Sequence, residues 1–263
     1  MTAPVDPSFG ALPAGGEVTA VILAGGRGTR IAAQHPDTPK PMIPVAGRPF
    51  LHWVTAWAVA QGVRDIVYAV GHIPEPIEAW VATLACQTGL RLRCRWEAEP
   101  LGTAGAVRNC LDLAGEAVLV LNGDSLALVE LARAFERLQA ERLDGLVVGV
   151  EVADAGRYGS LDVGPDGRLR GFREKAPGRG LVNAGIYLLR RELLEGLAPE
   201  TALSMEYDAL PQALQRGAPI VVHAARDAPF LDIGTPESLA RATEFIDANG
   251  DRLADLASPA LFR

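Results

Sequence analysis

Lysine is almost missing from this sequence. Of 25 basic residues only Lys40 and Lys175 are lysines, and all the others are arginines. A lysine carries a compact ammonium on a flexible stem, which the flat fork of arginine does not reproduce. The two lysines are therefore candidates for sites that need a point charge. The alternative is that they are a chance remainder of an arginine-biased composition.

Cysteine and long apolar runs are also scarce. The cysteines Cys86, Cys94 and Cys110 are odd in number and lack Cys-x-x-Cys spacing, which argues against disulfide and zinc frameworks and favours the cytoplasm. No stretch of eighteen apolar residues is free of a charge or a breaker, so we expect no membrane span. The formal charge of −7 argues against non-specific nucleic-acid binding. A protein of this charge that handles phosphates must concentrate its cations locally.

The order of apolar segments predicts an α/β fold. The chain has 263 residues, 49% of them hydrophobic, which suits a single domain. Up to residue 152, short apolar runs alternate with helical segments, a pattern typical of a parallel sheet with right-handed crossovers. From residue 153, short strands separated by glycine turns predict an antiparallel or mixed insertion. We predict a flexible tail over 1–17, one domain over 18–249, a single C-terminal helix over 236–248 and an extension over 250–263.

A glycine loop, Gly25-Gly26-Arg27-Gly28-Thr29-Arg30, directly follows the first apolar run. Glycines let backbone N–H groups approach an anion, and the two arginines add positive charge beside them. A Rossmann dinucleotide loop would need glycine at the position of Ile31 and an acidic residue about 20 residues on, and both are missing. The Gly-Lys-Ser/Thr of a Walker loop is also absent. A plain tight turn is the remaining alternative.

Two stretches of the sequence resemble the sugar-1-phosphate nucleotidyltransferases. They are LAGGRGTR over 23–30 and PKPMIPVAGRP over 39–49, and the resemblance continues in order from Val18 to about Phe245. It implies a Rossmann-like, mostly parallel mixed sheet flanked by helices, as in GT-A-like nucleotidyltransferases, with a small sugar-binding β insertion. It divides the domain into a nucleotide-binding half over 18–152 and a sugar-binding half over 153–235. It implies triphosphate binding by Leu23, Ala24, Gly25, Gly26, Gly28 and Thr29, and catalytic charges on Arg27, Arg30, Lys40 and Lys175.

Acidic residues mark the expected base and metal sites. Asp124 follows a fully apolar run, at the strand end where parallel sheets bind ligands, and hard oxygens suit Mg²⁺. Capping of the next helix is the alternative role. The resemblance pairs Asp124 with Asp232 as magnesium ligands. It also assigns the nucleobase to the segment that contains Glu97, Leu101, Gly102 and Thr103. A carboxylate matches the adjacent N1–H and N2–H donors of guanine, which favours GTP, whereas a solvent-facing glutamate is the alternative.

The resemblance also implies a sugar pocket formed by Tyr158, Gly159, Glu174, Asn183 and Glu206, with Lys175 on the sugar phosphate. Glu206 at the surface is an equal alternative. The group that the sequence most resembles is the D-glycero-D-manno-heptose 1-phosphate guanylyltransferases. Mannose-1-phosphate guanylyltransferases and N-acetylmuramate-1-phosphate uridylyltransferases remain open, as does a non-catalytic subunit that binds nucleotide sugars; a glycosyltransferase is disfavoured by the glycine loop. The expected partners are a nucleoside triphosphate and a sugar 1-phosphate, without nucleic acid or membrane. A homodimer is compatible with the sequence.

Overall fold

A computed structural model describes residues 18–26, 28, 31, 35–173 and 177–257 of the chain. The expected tail over 1–17 and the last six residues of the expected extension lie outside these ranges. Across the described ranges, every helix is too short or too polar to cross a lipid bilayer.

Short strands and helices alternate along most of the chain. The strands are β1 (Val18–Leu23), β2 (Pro44–Val45), β3 (Arg48–Pro49), β4 (Asp65–Val70), β5 (Arg91–Trp96), β6 (Ala117–Asn122), β7 (Ser125–Ala127), β8 (Gly145–Val152), β9 (Ser160–Val163), β10 (Leu169–Arg173), β11 (Gly180–Arg190), β12 (Ile220–Ala225) and β13 (Phe230–Asp232). The α-helices are α1 (Phe50–Ala60), α2 (Glu75–Thr88), α3 (Gly102–Asn109), α4 (Ala132–Ala140), α5 (Arg191–Glu195), α6 (Leu210–Gln215), α7 (Pro236–Ala240) and α8 (Ala242–Asn249).

Most of the strands belong to one mixed sheet. Its order is β12-β8-β11-β6-β1-β4-β5, and only β11 runs antiparallel to its neighbours along this path. β9 and β10 form an antiparallel hairpin, and β9 pairs with β11 at the bridge between Ser160 and Val182. This hairpin corresponds to the expected β insertion, whereas β11, which the same prediction placed in the insertion, lies between β8 and β6 in the main sheet. The prediction of a mostly parallel mixed sheet flanked by helices is confirmed.

Helices cover both faces of the sheet because its central strands are apolar on both sides. The β1 residues Val18, Ala20 and Ile22 pack on one face of the sheet in an apolar cluster that includes residues of α1, α2, α4 and α8. Val21 faces the second cluster, with α3, α5 and α6. Strands buried in this way read as continuous hydrophobic runs, and this is why β1, β4 and β6 are recognisable in the sequence.

The prediction of one C-terminal helix over 236–248 is wrong at a single residue. Arg241 separates α7 from α8 with φ −90° and ψ −5°, which is turn-like geometry. Its N–H bonds to the carbonyl of Ser238, three residues back. Apolar residues continue at helical spacing across the break, from Leu239 to Ala242 and Ile246, so the pattern alone does not reveal it.

Gly185 is required where β11 changes register. The pairing of β11 with β8 shifts between Asn183 and Tyr187, and Gly185 adopts φ +72° within this irregularity. A methyl group at Gly185 would overlap the amide of Asn122, the last residue of β6. β11 can therefore approach the end of β6 only with glycine at this position.

We predict that Gly185→Ala lowers the free energy of unfolding by about 1–3 kcal/mol, because it adds backbone strain and a steric overlap. The melting temperature should fall by roughly 2–10 °C in calorimetry. Gly171→Ala is the matched control, since Gly171 also lies in a strand but has open space around its Cβ position and no positive φ. Equal losses of stability in the two variants would contradict this account.

Candidate functional site

Parallel pairing brings several loops to one edge of the sheet. β1 pairs in parallel with β4 and β6, so Leu23 lies beside both Ala69 and Asn122 where these strands end. Beyond the strands, Gly123 donates its N–H to the carbonyl of Leu23 at 2.9 Å. Glu97, which follows β5, donates its N–H to Val70 at 2.9 Å. The polar residues after these strands therefore surround a common region.

Two cavities open at this edge and share part of their wall. The larger has a volume of about 1060 Å³ and the smaller about 550 Å³. The residues that line both are Leu23, Gly26, Asn122 and Asp124. Molecules bound in the two cavities would thus meet at Asn122 and Asp124.

Glu97 is a half-buried carboxylate of the larger cavity. Its Oε2 accepts a hydrogen bond from the backbone N–H of Leu101 at 3.3 Å. Burial raises the pKa of the Glu97 carboxyl above its ordinary value, and the Leu101 N–H offsets part of this rise. Glu99, two residues on, lines the same cavity but is exposed. A partly desolvated carboxylate forms stronger hydrogen bonds than an exposed one, so Glu97 is the better acceptor for a ligand.

The other residues expected to bind nucleotide lie in different places. Gly25, Gly26, Gly102 and Thr103 line the larger cavity, and Gly28 lines the smaller one. Ala24 and Leu101 are absent from the walls of both cavities, and Ala24 is fully buried. Arg27, Thr29 and Arg30 fall outside the described residues.

Lys40 and two aspartates form the charged centre between the cavities. Lys40 Nζ is 2.6 Å from Asp124 Oδ2, and only 12% of the Lys40 side chain is exposed. β7 and β13 pair antiparallel directly after Asp124, and Ile233 donates its N–H to the Asp124 carbonyl at 3.0 Å. This pairing places Asp232 beside Asp124, although 108 positions of sequence numbering separate them.

Burial raises the pKa of the Asp232 carboxyl, and the neighbouring Asp124 carboxylate raises it further, whereas Lys40 lowers it. Two carboxylates therefore repel each other in a partly buried place, where Lys40 and Arg157 among the described residues offset their charge only in part. Hard carboxylate oxygens suit Mg²⁺, which usually binds one or two carboxylates and completes its shell with water and substrate phosphates. Within residues 35–173 and 177–257 and the described part of the glycine loop, no three His, Cys, Asp or Glu side chains cluster as a metal cage. The two aspartates fit a magnesium ion shared with a phosphate ligand.

Asn183, Tyr187 and Glu206 form a hydrogen-bonded group at the smaller cavity. Tyr187 Oη donates to Glu206 Oε1 at 2.6 Å, and Asn183 Nδ2 donates to Tyr187 Oη at 2.7 Å. Ser204 Oγ donates to Glu206 Oε2 at 2.9 Å. Burial, and then the Glu206 carboxylate, raise the pKa of Tyr187 well above its ordinary value, so the phenol stays a donor. The Glu206 carboxylate is thus held in one orientation at the cavity wall.

Tyr158 and Gly159 also line the smaller cavity, as expected, together with Asn183 and Glu206. Glu174 and Lys175 fall outside the described residues. The sequence reasoning missed Arg157, which lines this cavity and donates from Nη2 to Thr235 Oγ1 at 3.0 Å. The signal that could have identified Arg157 is its position directly before Tyr158-Gly159, which the prediction did include. It also missed Tyr187, which only the fold places beside Glu206.

Comparisons with known proteins show which proteins the chain is similar to. Residues 19–249 match the family model described as nucleotidyl transferase. The chain is 31% identical over 225 residues to D-glycero-alpha-D-manno-heptose 1-phosphate guanylyltransferase of Aneurinibacillus thermoaerophilus, covering 85% of this chain and 96% of that protein. It is 30% identical over 249 residues to mannose-1-phosphate guanylyltransferase of Mycobacterium tuberculosis, covering 93% of this chain and 67% of that protein. Among solved structures, HddC from Yersinia pseudotuberculosis complexed with GMP-PN has a TM-score of 0.75 and 32% identity, over 86% of this chain and 98% of that one.

Because the two aspartates repel each other, we predict that removing the charge of one of them stabilises the ligand-free protein and weakens ligand binding. Asp232→Asn should raise the melting temperature of the ligand-free protein at neutral pH by roughly 1–4 °C, because it removes a buried charge and keeps the acceptor for the Gly234 N–H. Since the pKa of Asp232 is raised in the folded state, this gain should fade as the pH falls through that pKa and the aspartate becomes neutral. The same variant should lose the extra stabilisation that Mg²⁺ with a nucleoside triphosphate gives the wild type.

Asp166→Asn is the matched control, because Asp166 accepts the N–H of Arg168 two residues on, as Asp232 does from Gly234, but is exposed. It should change neither measurement. A lower melting temperature of ligand-free Asp232→Asn at neutral pH would contradict the proposed repulsion.

Proposed function

The chain belongs to the nucleotidyl transferase family, and we propose that it transfers a guanylyl group from GTP to D-glycero-α-D-manno-heptose 1-phosphate. The products are the GDP-sugar and pyrophosphate. The observation that carries this proposal is the pair of cavities that share Asn122 and Asp124 in their wall. A nucleoside triphosphate in the larger cavity and a sugar phosphate in the smaller one would present their phosphates to each other there.

The choice of GTP rests on Glu97. Guanine presents two adjacent donors, N1–H and N2–H, and one carboxylate can accept both, whereas uracil presents a single donor. Glu97 is a half-buried carboxylate of the larger cavity and is oriented by the Leu101 N–H. The two curated relatives described above carry guanylyltransferase in their names, which supports the same choice.

In the proposed reaction, a phosphate oxygen of the sugar 1-phosphate attacks the α-phosphorus of GTP in line. A new P–O bond forms, the bond from the α-phosphorus to the oxygen that bridges to the β-phosphorus breaks, and pyrophosphate leaves with that electron pair. The nucleophile is already anionic, so no general base is needed. The task of the protein is to hold two polyanions close together and to stabilise the charge that develops.

Lys40 and the two aspartates supply this electrostatic setting. The Lys40 ammonium lies beside Asp124 at the shared wall, where it can neutralise phosphate charge. Asp124 and Asp232 would hold Mg²⁺, which when bound supplies positive charge to the phosphates. The family resemblance adds Arg27 and Arg30 on the triphosphate and Lys175 on the sugar phosphate.

The sugar side of the proposal rests on Asn183 and Glu206. A carboxylate fixed by Tyr187 and Ser204 is preorganised to accept hydrogen bonds from sugar hydroxyls. The heptose is preferred over mannose because the heptose-specific relative matches along almost its whole length. Mannose 1-phosphate is the second candidate, supported by the relative from M. tuberculosis, which matches over more of this chain.

The test is a pyrophosphate-release assay of the purified protein with Mg²⁺. GTP, UTP, CTP and dTTP would each be combined with the 1-phosphates of the heptose, mannose, glucose and N-acetylmuramate. We expect the highest kcat/KM for GTP with the heptose 1-phosphate. A preference for UTP would overturn the guanylyl assignment, and absence of release with every pair would favour a subunit that only binds nucleotide sugars.

The role of Glu97 gives a separate prediction. Glu97→Gln replaces one acceptor oxygen by a donor that faces guanine N–H groups, so KM for GTP should rise about tenfold or more, since one such bidentate contact is worth ~1–3 kcal/mol. KM for the sugar 1-phosphate should change less than twofold. Glu99→Gln, an exposed carboxylate on the same cavity, is the control and should leave both constants unchanged. Equal effects of the two substitutions on KM for GTP would remove Glu97 from base recognition.

A further inference from the structure

A short segment connects the two cavities through hydrogen bonds. We call residues 201–206 the strap, because they run from the start of α3, at the larger cavity, to Glu206 at the smaller one. The Leu203 carbonyl accepts the N–H groups of Ala104 at 2.8 Å and Gly105 at 3.3 Å. The Leu203 N–H donates to the carbonyl of Leu101 at 2.9 Å. The strap therefore satisfies N–H groups in the first turn of α3 that have no partner within the helix.

Glycine at the start of α3 makes this contact possible. Gly102 has φ +68°, and a Cβ atom there would lie 2.5 Å from the Leu203 carbonyl oxygen. A Cβ at Gly105 would overlap the carbonyl of Thr201 in the same way. The backbone of the strap is thus packed directly against the backbone that lines the larger cavity, and the two segments cannot move apart without losing several hydrogen bonds.

Thr103 extends the connection to the residue before Glu206. Its Oγ1 accepts the N–H of Met205 at 2.7 Å, and the Met205 side chain is fully buried. Met205 begins a π-helical turn, Met205–Ala209, which is a rare geometry that occurs often at functional sites. The side chain of Ser204 caps this turn, accepting the N–H groups of Glu206 and Tyr207. The Thr103 hydroxyl therefore fixes the start of the turn that carries Glu206.

We propose that Thr103 is a positioning residue for Glu206, and that the strap couples the two cavities so that each substrate strengthens binding of the other. This inference rests on the proposed function. A nucleotide that contacts Gly102 and Thr103 would order the start of α3 and, through the strap, the Glu206 carboxylate. The sugar phosphate then loses less conformational entropy on binding. By linkage the effect is reciprocal: the sugar phosphate must tighten nucleotide binding by the same factor.

The shared wall at Asp124 is a second route by which the substrates can influence each other. Phosphates and Mg²⁺ that meet there interact directly, without the strap. A variant of Thr103 leaves this route unchanged, so the change in coupling between wild type and variant isolates the contribution of the strap.

The experiment is calorimetric titration of α,β-methylene GTP with Mg²⁺, in the absence and presence of D-glycero-α-D-manno-heptose 1-phosphate. The methylene group replaces the oxygen that must leave, so no reaction occurs. In the wild type we expect the sugar phosphate to tighten binding of the analogue at least about fivefold. In Thr103→Val the coupling, which is the ratio of the two affinities, should fall below about twofold and KM for the sugar phosphate should rise, whatever the affinity for the analogue alone.

Thr103→Ser keeps the hydroxyl and should restore the coupling. Thr83→Val is the control, because the exposed Thr83 bonds only to Ala79 of its own helix. Melting temperatures would establish that each variant is folded. If Thr103→Val does not fold, Ser204→Ala replaces it, since it removes the Ser204 bond to Glu206 and should lower the coupling in the same direction.

Unchanged coupling in Thr103→Val would overturn the inference. Retained coupling would overturn it also where the affinity for the analogue alone falls, because Thr103 would then act on the nucleotide and not through the strap. A wild type that turns over both substrates but shows no coupling contradicts the strap and leaves the proposed function intact. A wild type without turnover of any pair contradicts the proposed function itself.

Discussion

Negative charge at the shared edge of the sheet is the constraint on which the rest of the site depends. Burial raises the pKa of Asp232 and the neighbouring Asp124 carboxylate raises it further, so the two aspartates repel each other even before any ligand arrives. Both proposed substrates are polyanions that must meet at this place. Cations must gather there to offset the charge of the aspartates and the substrates, and Lys40 is one such cation among the described residues. A metal ion between the aspartates and the phosphates would neutralise all three groups at once.

This constraint also explains the unusual use of lysine. Most arginines whose contacts the structure describes pair with surface carboxylates or backbone carbonyls, as Arg93 does with Asp65 and the Leu113 carbonyl. Lys40 instead makes a short contact to Asp124, and only 12% of its side chain is exposed. A small ammonium can move from a carboxylate to a phosphate oxygen by rotating its stem, whereas a guanidinium would have to realign a planar fork. The scarcity of lysine in the composition therefore pointed to Lys40, which lies at the charged centre of the candidate site.

Prediction from sequence worked where a local pattern carries the structural information. β1 is an apolar run that ends in glycines and β6 is one that leads to Asn122-Gly123-Asp124, so both strands and the place of Asp124 at a strand end could be predicted directly. The break at Arg241 could not be predicted, because apolar spacing continues across it, and β7 is too short to show a period of its own. The pairing of Asp232 with Asp124 was implied by resemblance alone. Tyr187 and the strap were missed because their role depends on contacts between distant parts of the chain, such as Thr103 with Met205.

The same long-range contacts determine how precisely the smaller cavity can be organised. Glu206 belongs to a π-helical turn that would not persist by itself, since isolated helical turns are costly to nucleate. Its geometry is maintained from three sides: by Tyr187 on the central sheet, by Ser204 at the start of the turn, and by Thr103 on the helix that lines the larger cavity. One of these partners, Thr103, belongs to the helix that also lines the larger cavity. A carboxylate anchored in this way cannot change its position without changes in α3 and β11, the elements that carry Thr103 and Tyr187.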